Sequence, residues 1–87
     1  MEKTFVIKNK LGLHARPAAL MVQTAGKFKA SVKIVKDGQE VDGKSIMGLM
    51  TLAASAGTNL KIVADGQDEA AALDAMGKLI ENGFGEE

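Results

Sequence analysis

Apolar positions along the chain change period several times, and each change marks an element. Thr4-Phe5-Val6-Ile7 is a β-branched and aromatic run that predicts a first strand, with Phe5 and Ile7 on one face because side chains alternate. Residues Asn9 to Leu13 lack periodicity and read as loop. From about Ala15 to Lys27 the spacing becomes helical: Ala18, Met21, Val22, Ala25 and Phe28 form one stripe, and Gly26 is a stop signal. Ser31 to Lys36 alternates again, with Val32 and Ile34 on one face. Asp37-Gly38 then predicts a two-residue hairpin turn, since both central positions of a type I′ turn need positive φ. Gln39 to Val41 returns as a short strand that Asp42-Gly43 breaks.

Ser45 is a favoured N-cap and opens a second helix over Ile46-Met47-Gly48-Leu49-Met50-Thr51-Leu52. Leu49 and Leu52 face the core at i, i+3 spacing. Ile46, Met47 and Met50 are then surplus apolar surface, which leaves two readings open: tight burial, or a docking patch in which Met supplies adaptable contact. Gly57-Thr58 turns the chain into a strand with Leu60, Ile62 and Ala64 inward. Asp65-Gly66 turns again, and Asp68-Glu69 place acids at the start of the last helix. That helix buries Ala72, Leu73, Met76, Leu79 and Ile80, and Gly77 within it points to close packing. Asn82-Gly83 ends it, and Glu86-Glu87 reads as a frayed acidic tail. The order strand, helix, strand, strand, helix, strand, helix predicts an α+β open-faced two-layer sandwich. Its mostly antiparallel sheet carries helices on one side.

At 87 residues this is a single domain, residues 1–87. Three Phe and no Trp or Tyr leave the core to aliphatics, Met and Ala. With no Cys, disulfides and thiolate chemistry are excluded, and a single His makes a histidine metal site improbable. No cofactor and no metal is expected. The pattern shows no signal peptide and no membrane span, so a cytoplasmic protein is expected. Net charge is zero but uneven: residues 1–44 carry nine Lys/Arg and four Asp/Glu, residues 45–87 two and seven. The basic half suits an acidic protein partner better than nucleic acid, because base-stacking aromatics are scarce.

One stretch carries chemistry. Gly12-Leu13-His14-Ala15-Arg16-Pro17 holds the only histidine and the only proline. Pro17 fits the first turn of a helix, where backbone N–H groups have no partner. His14 therefore falls where loop becomes helix, beside free N–H groups and the positive end of a helix dipole, a place suited to phosphate. Imidazole is nucleophilic near neutral pH, and Arg16 is a permanent cation suited to phosphate oxygens. By itself this admits a bland reading, a histidine that merely caps or faces solvent.

Gly-Leu-His-Ala-Arg-Pro, with Lys44-Ser45-Ile46-Met47-Gly48 thirty residues later, resembles the HPr family, histidine-containing phosphocarriers of the bacterial phosphoenolpyruvate–sugar phosphotransferase system. The resemblance runs nearly the whole chain. It implies a βαββαβα fold with a four-stranded antiparallel sheet covered on one side by three helices. It implies that His14 accepts a phosphoryl group on Nδ1 from phosphorylated enzyme I and passes it to enzyme IIA domains. Arg16 and the backbone amides of Ala15 and Arg16 would hold the phosphate, with Pro17 fixing the helix entry. Ser45 matches a regulatory serine that HPr kinase/phosphorylase modifies in many bacteria, and its added charge would act beside the Ile46, Met47 and Met50 docking patch. The chain would be a monomeric carrier and not an enzyme in its own right.

Asn9-Lys10-Leu11-Gly12 and the Asn82-Gly83-Phe84 ending resemble a second branch, the NPr carriers of the nitrogen-related phosphotransferase system, while the intact Lys-Ser-Ile-Met-Gly favours HPr proper. Paralogues lacking the histidine are excluded by His14. From other classes, a prosthetic-group carrier on Ser45 is opposed by Lys44 before it and by the strands. A non-phosphorylated protein-binding module would not need His14 beside Arg16. A hydrolase lacks an oriented base and a nucleophile elbow.

Overall fold

A computed structural model describes residues 1–86. Strands β1 (Glu2–Val6), β2 (Ser31–Lys36), β3 (Gln39–Asp42) and β4 (Asn59–Asp65) form one antiparallel sheet in the order β1-β4-β2-β3. Helices α1 (Ala15–Ala25), α2 (Ile46–Thr51) and α3 (Glu69–Glu81) complete a βαββαβα order. The predicted α+β open sandwich is therefore the observed one.

Register follows from the alternation. Phe5 pairs with Leu60, Ile34 with Ile62 and Val32 with Ala64, so every buried strand residue lies on one face. A one-residue slip would turn that set to solvent, which fixes the pairing. Against this face α1 sets Ala18, Met21 and Ala25, α2 sets Leu49, and α3 sets Ala72, Leu73, Met76 and Ile80. The opposite face carries Thr4, Lys61, Lys33 and Glu40, none of them buried. The hairpin turn forms as its residues dictate, with Asp37 at φ 48° and Gly38 at φ 83°.

Several boundaries move for physical reasons. β1 ends at Val6, yet Ile7 continues the pairing outside the ladder: its N–H donates to Thr58 O (2.9 Å) and its carbonyl accepts from Gly57 (2.8 Å). The helix α1 ends at Ala25 rather than Lys27, and Gly26 keeps right-handed geometry at φ −65°. The stop comes from tightening: Lys27 and Phe28 donate back three residues, to Thr24 and Ala25. Val22 and Phe28 are only part-buried. At α3, Asp68 occupies the N-cap position without capping its own helix. Its carboxylate accepts instead from the backbone N–H groups of Lys29 (2.9 Å) and Ala30 (2.8 Å), tying the α1–β2 loop to the start of α3.

The frayed tail expected at Glu86 is not what forms. After α3 a 3₁₀ turn, Gly83–Gly85, buries the Phe84 ring (4% exposed) and returns the chain toward the start of α1. Phe84 takes φ 58°, a left-handed conformation uncommon for a bulky residue and tolerated here because its ring joins the core. Glu87, the other half of the expected tail, lies outside the described residues.

Candidate functional site

His14 stands at the N-cap position of α1 with extended backbone, φ −93° and ψ −170°, and its side chain makes no capping bond. The carbonyl of His14 accepts from Ala18 at 3.0 Å, which starts the helix, while helical geometry leaves the Ala15 and Arg16 N–H groups without intrahelical partners. Pro17, the third helical residue, has no N–H to leave unpaired there and is itself buried.

Two supports fix where the imidazole stands. Leu13, buried, donates its N–H to Ala54 O at 2.8 Å, anchoring the loop on the segment after α2. Gly12 passes beneath that segment at φ +69°, where a Cβ would run into Ala54 O and lie 2.8 Å from Ser55 Cα. Glycine is required at this point twice over, by backbone sign and by contact.

The His14 side chain is 36% exposed. Its Nε2 lies 2.9 Å from Glu86 Oε2 and 3.2 Å from Oε1. Buried Asn9 (3% exposed) braces the pair: its Nδ2 donates to Gly12 O at 2.7 Å and to Glu86 Oε1 at 2.8 Å. The His14 hydrogen bond, followed by that of Asn9, holds the Glu86 carboxyl below the usual glutamate range. Arg16 is exposed and lines a cleft with Lys10, Leu11, Gly85 and Glu86. Two cations and one anion therefore line one cleft, and the anion is the partner of the imidazole.

Among the sequence-predicted residues, the structure gathers His14, Ala15, Arg16 and Pro17 at one corner. It keeps Ser45 on a separate helix start, on α2, which packs beside α1. Ser45 caps as expected, its Oγ accepting the Gly48 N–H at 3.2 Å. Of the α2 residues, Leu49 and Leu52 are buried, while Ile46 (40%), Met47 (72%) and Met50 (44%) are exposed, so the tight-burial reading of this stretch is wrong. Among the described residues no group of three or more His, Cys, Asp or Glu is placed to hold a metal ion. No helix of the described chain is long and apolar enough to cross a membrane. Sequence reasoning missed Asn9 and Glu86. The available signal was Phe84, an aromatic between two glycines beyond the helix stop, whose burial requires the chain to fold back.

The fold and the site together define a small open-faced α/β protein that displays a histidine at a helix start, followed by an exposed arginine. The profile of the PTS-HPr family, described as "PTS HPr component phosphorylation site", matches residues 1–82. The phosphocarrier protein HPr of Xylella fastidiosa is 47% identical over 87 residues, covering 100% of this chain and 98% of its own. A crystal structure of HPr-C-His from Thermoanaerobacter tengcongensis superposes with a TM-score of 0.96 at 54% identity, covering 100% of this chain and 98% of that one. A second structure from that organism, described as an HPr dimer, gives 0.80 at 53% identity with 99% of each chain covered. The chain belongs to the HPr family; curated relatives at 47–49% identity are named phosphocarrier protein HPr, and others, from Halalkalibacterium halodurans and Bacillus subtilis, are named HPr-like protein Crh.

Proposed function

We propose that the chain carries a phosphoryl group on His14, taken from phosphorylated enzyme I and delivered to enzyme IIA domains. The observation that carries this reading is the part-exposed imidazole at the α1 N-cap, with Nε2 engaged by Glu86 and the helix-start amides of Ala15 and Arg16 next to it in the chain. The lone pair of the open nitrogen attacks the donor's phosphorus, the donor's bond to phosphorus breaks, and its electron pair leaves with the donor. The free amides of Ala15 and Arg16 and the Arg16 guanidinium take up the transferred group's negative charge. Nothing in the chain needs to catalyse turnover; the partners supply alignment.

Regulation enters through Ser45. A phosphoryl group added there by HPr kinase/phosphorylase would sit at the α2 start, which favours negative charge, so the fold survives. The exposed Ile46, Met47 and Met50 beside it supply apolar contact for enzyme I, and a dianion next to them repels an acidic partner. In this reading the chain works as a monomer in the cytoplasm, and sedimentation checks the first point, since several solved relatives are described as dimers.

Incubation with enzyme I and phosphoenolpyruvate, followed by mass and acid-lability analysis, tests the carrier role. One acid-labile phosphoryl group, lost in a folded His14→Ala variant, is the expected result. Retained acceptance by that variant moves the site elsewhere. For the switch, Ser45→Asp should weaken enzyme I binding without unfolding, and unchanged affinity removes it.

A further inference from the structure

The contact between His14 and Glu86 joins two residues 72 positions apart, and the local structure is shaped to make it. The turn over Gly83–Gly85 buries Phe84 and leads the chain into Glu86. With Phe84 seated, Glu86 donates its N–H to Gly83 O at 3.0 Å, and its carboxylate, with Asn9 as brace, is presented to the imidazole. The Glu86 side chain retains only 17% exposure although it lies beyond the last helix. Asn9 spends both Nδ2 protons on this arrangement, while its buried Oδ1 has no hydrogen-bond partner among the described residues. A buried amide oriented at that cost shows that the two donor bonds decide its placement.

A carboxylate can only accept here, so the nitrogen 2.9 Å away must be the one bearing hydrogen. Nε2–H is thereby fixed, and the lone pair of a neutral ring stands on Nδ1. We propose that Glu86 is the positioning residue of the phosphoryl acceptor, holding His14 as the Nε2–H tautomer and facing the positive charge the ring gains on transfer. The inference deepens the carrier reading and rests on it. When Nδ1 bonds to phosphorus, the donor's bond breaks and Nε2 keeps its proton; the ring becomes cationic, with a carboxylate already in place against it. The logic parallels a carboxylate behind a catalytic histidine, which orients the imidazole and stabilises its cationic form without taking the proton. Repulsion between Glu86 and the arriving phosphoryl group is offset by Arg16 and Lys10, which line the same cleft.

Single-turnover phosphorylation by enzyme I, combined with ¹⁵N NMR of the imidazole, tests this on the full chain. Glu86→Ala is expected to slow acceptance about tenfold and to let the Nδ1–H tautomer appear, with thermal melting showing the fold retained. Glu86→Gln, whose carbonyl still accepts from Nε2–H without charge, should keep the tautomer and recover part of the rate. If Glu86→Ala accepts at the wild-type rate, or faster, or shows an unchanged tautomer ratio, the positioning role is overturned while the carrier stands. If the wild-type chain itself accepts nothing from a competent enzyme I, both fall together.

Discussion

The Phe5 ring occupies the space that a side chain on Gly77 would need: a Cβ there would lie 2.5 Å from Phe5 Cε1. Strand β1 and helix α3 thus close to a distance that only glycine permits. Helix propensity alone says that Gly77→Ala gains about 1 kcal/mol. Overpacking a buried contact costs about 1–3 kcal/mol. The second effect should win, giving a net loss of about 1 kcal/mol in urea denaturation. In a Phe5→Leu background the same change should cost less, and an equal cost would show that the two residues are not coupled.

Ser45 Oγ gives α2, a helix of six residues, one of its few side-chain caps. Ser45→Ala should lower stability by about 1 kcal/mol. Ser45→Asp should melt near the wild type, because aspartate also caps and suits the helix start. Equal melting of the Ala variant would mean the 3.2 Å bond contributes nothing.

Gly12 combines positive φ with close contact to the backbone of Ala54 and Ser55. Gly12→Ala should cost about 2 kcal/mol or more. It should also impair phosphoryl acceptance by moving His14, two residues on. Backbone amide shifts confined to residues 9–16 and 53–57 would locate the damage, and wild-type transfer with lowered stability would separate the fold effect from the site.

Arg16 is exposed and lines the cleft beside Glu86, so Arg16→Ala should leave stability within about 0.5 kcal/mol. Acceptance from enzyme I should slow about tenfold or more. An unchanged single-turnover rate would remove Arg16 from the mechanism.

Asp68 receives the Lys29 and Ala30 N–H groups, and the Lys29 bond above all holds its carboxyl below the usual aspartate range, against some desolvation. A depressed folded value means that this stabilisation is present at neutral pH, above the unfolded value of about 4, and is lost as pH falls through the lower folded value. Asp68→Ala should therefore melt lower at pH 7 and lose less on acidification than the wild type. Parallel melting curves from pH 7 to pH 2 would show that the carboxylate does not link the α1–β2 loop to α3.

Much of this protein was legible in one dimension because its signals are local. Alternation at Val32 and Ile34, the Asp37-Gly38 turn, the cap at Ser45 and the helical stripes each depend on residues a few positions apart, where backbone geometry fixes the outcome. His14 at a helix start followed from Pro17 two residues on, for the same reason. Boundaries shifted where tertiary bonds competed with local ones: the acids at Asp68 served a distant loop, and Gly26 ended a helix without the left-handed turn its identity suggests. Exposure of Ile46, Met47 and Met50 could not be read from their spacing, since a six-residue helix has too few turns to define a buried stripe and only the packed sheet and α1 decide which side is covered.

Glu86 marks the limit most clearly. Its sequence neighbours are glycine and glutamate, which specify no conformation and point to an open end. Its position against His14 is set by the burial of Phe84 and by the Asn9 brace, interactions that span the length of the chain. The sequence by itself determined the elements and the place of the histidine at a helix start; the tertiary structure alone decided which side chain stands behind that histidine, because a contact across 72 residues exists only once the core between them has packed.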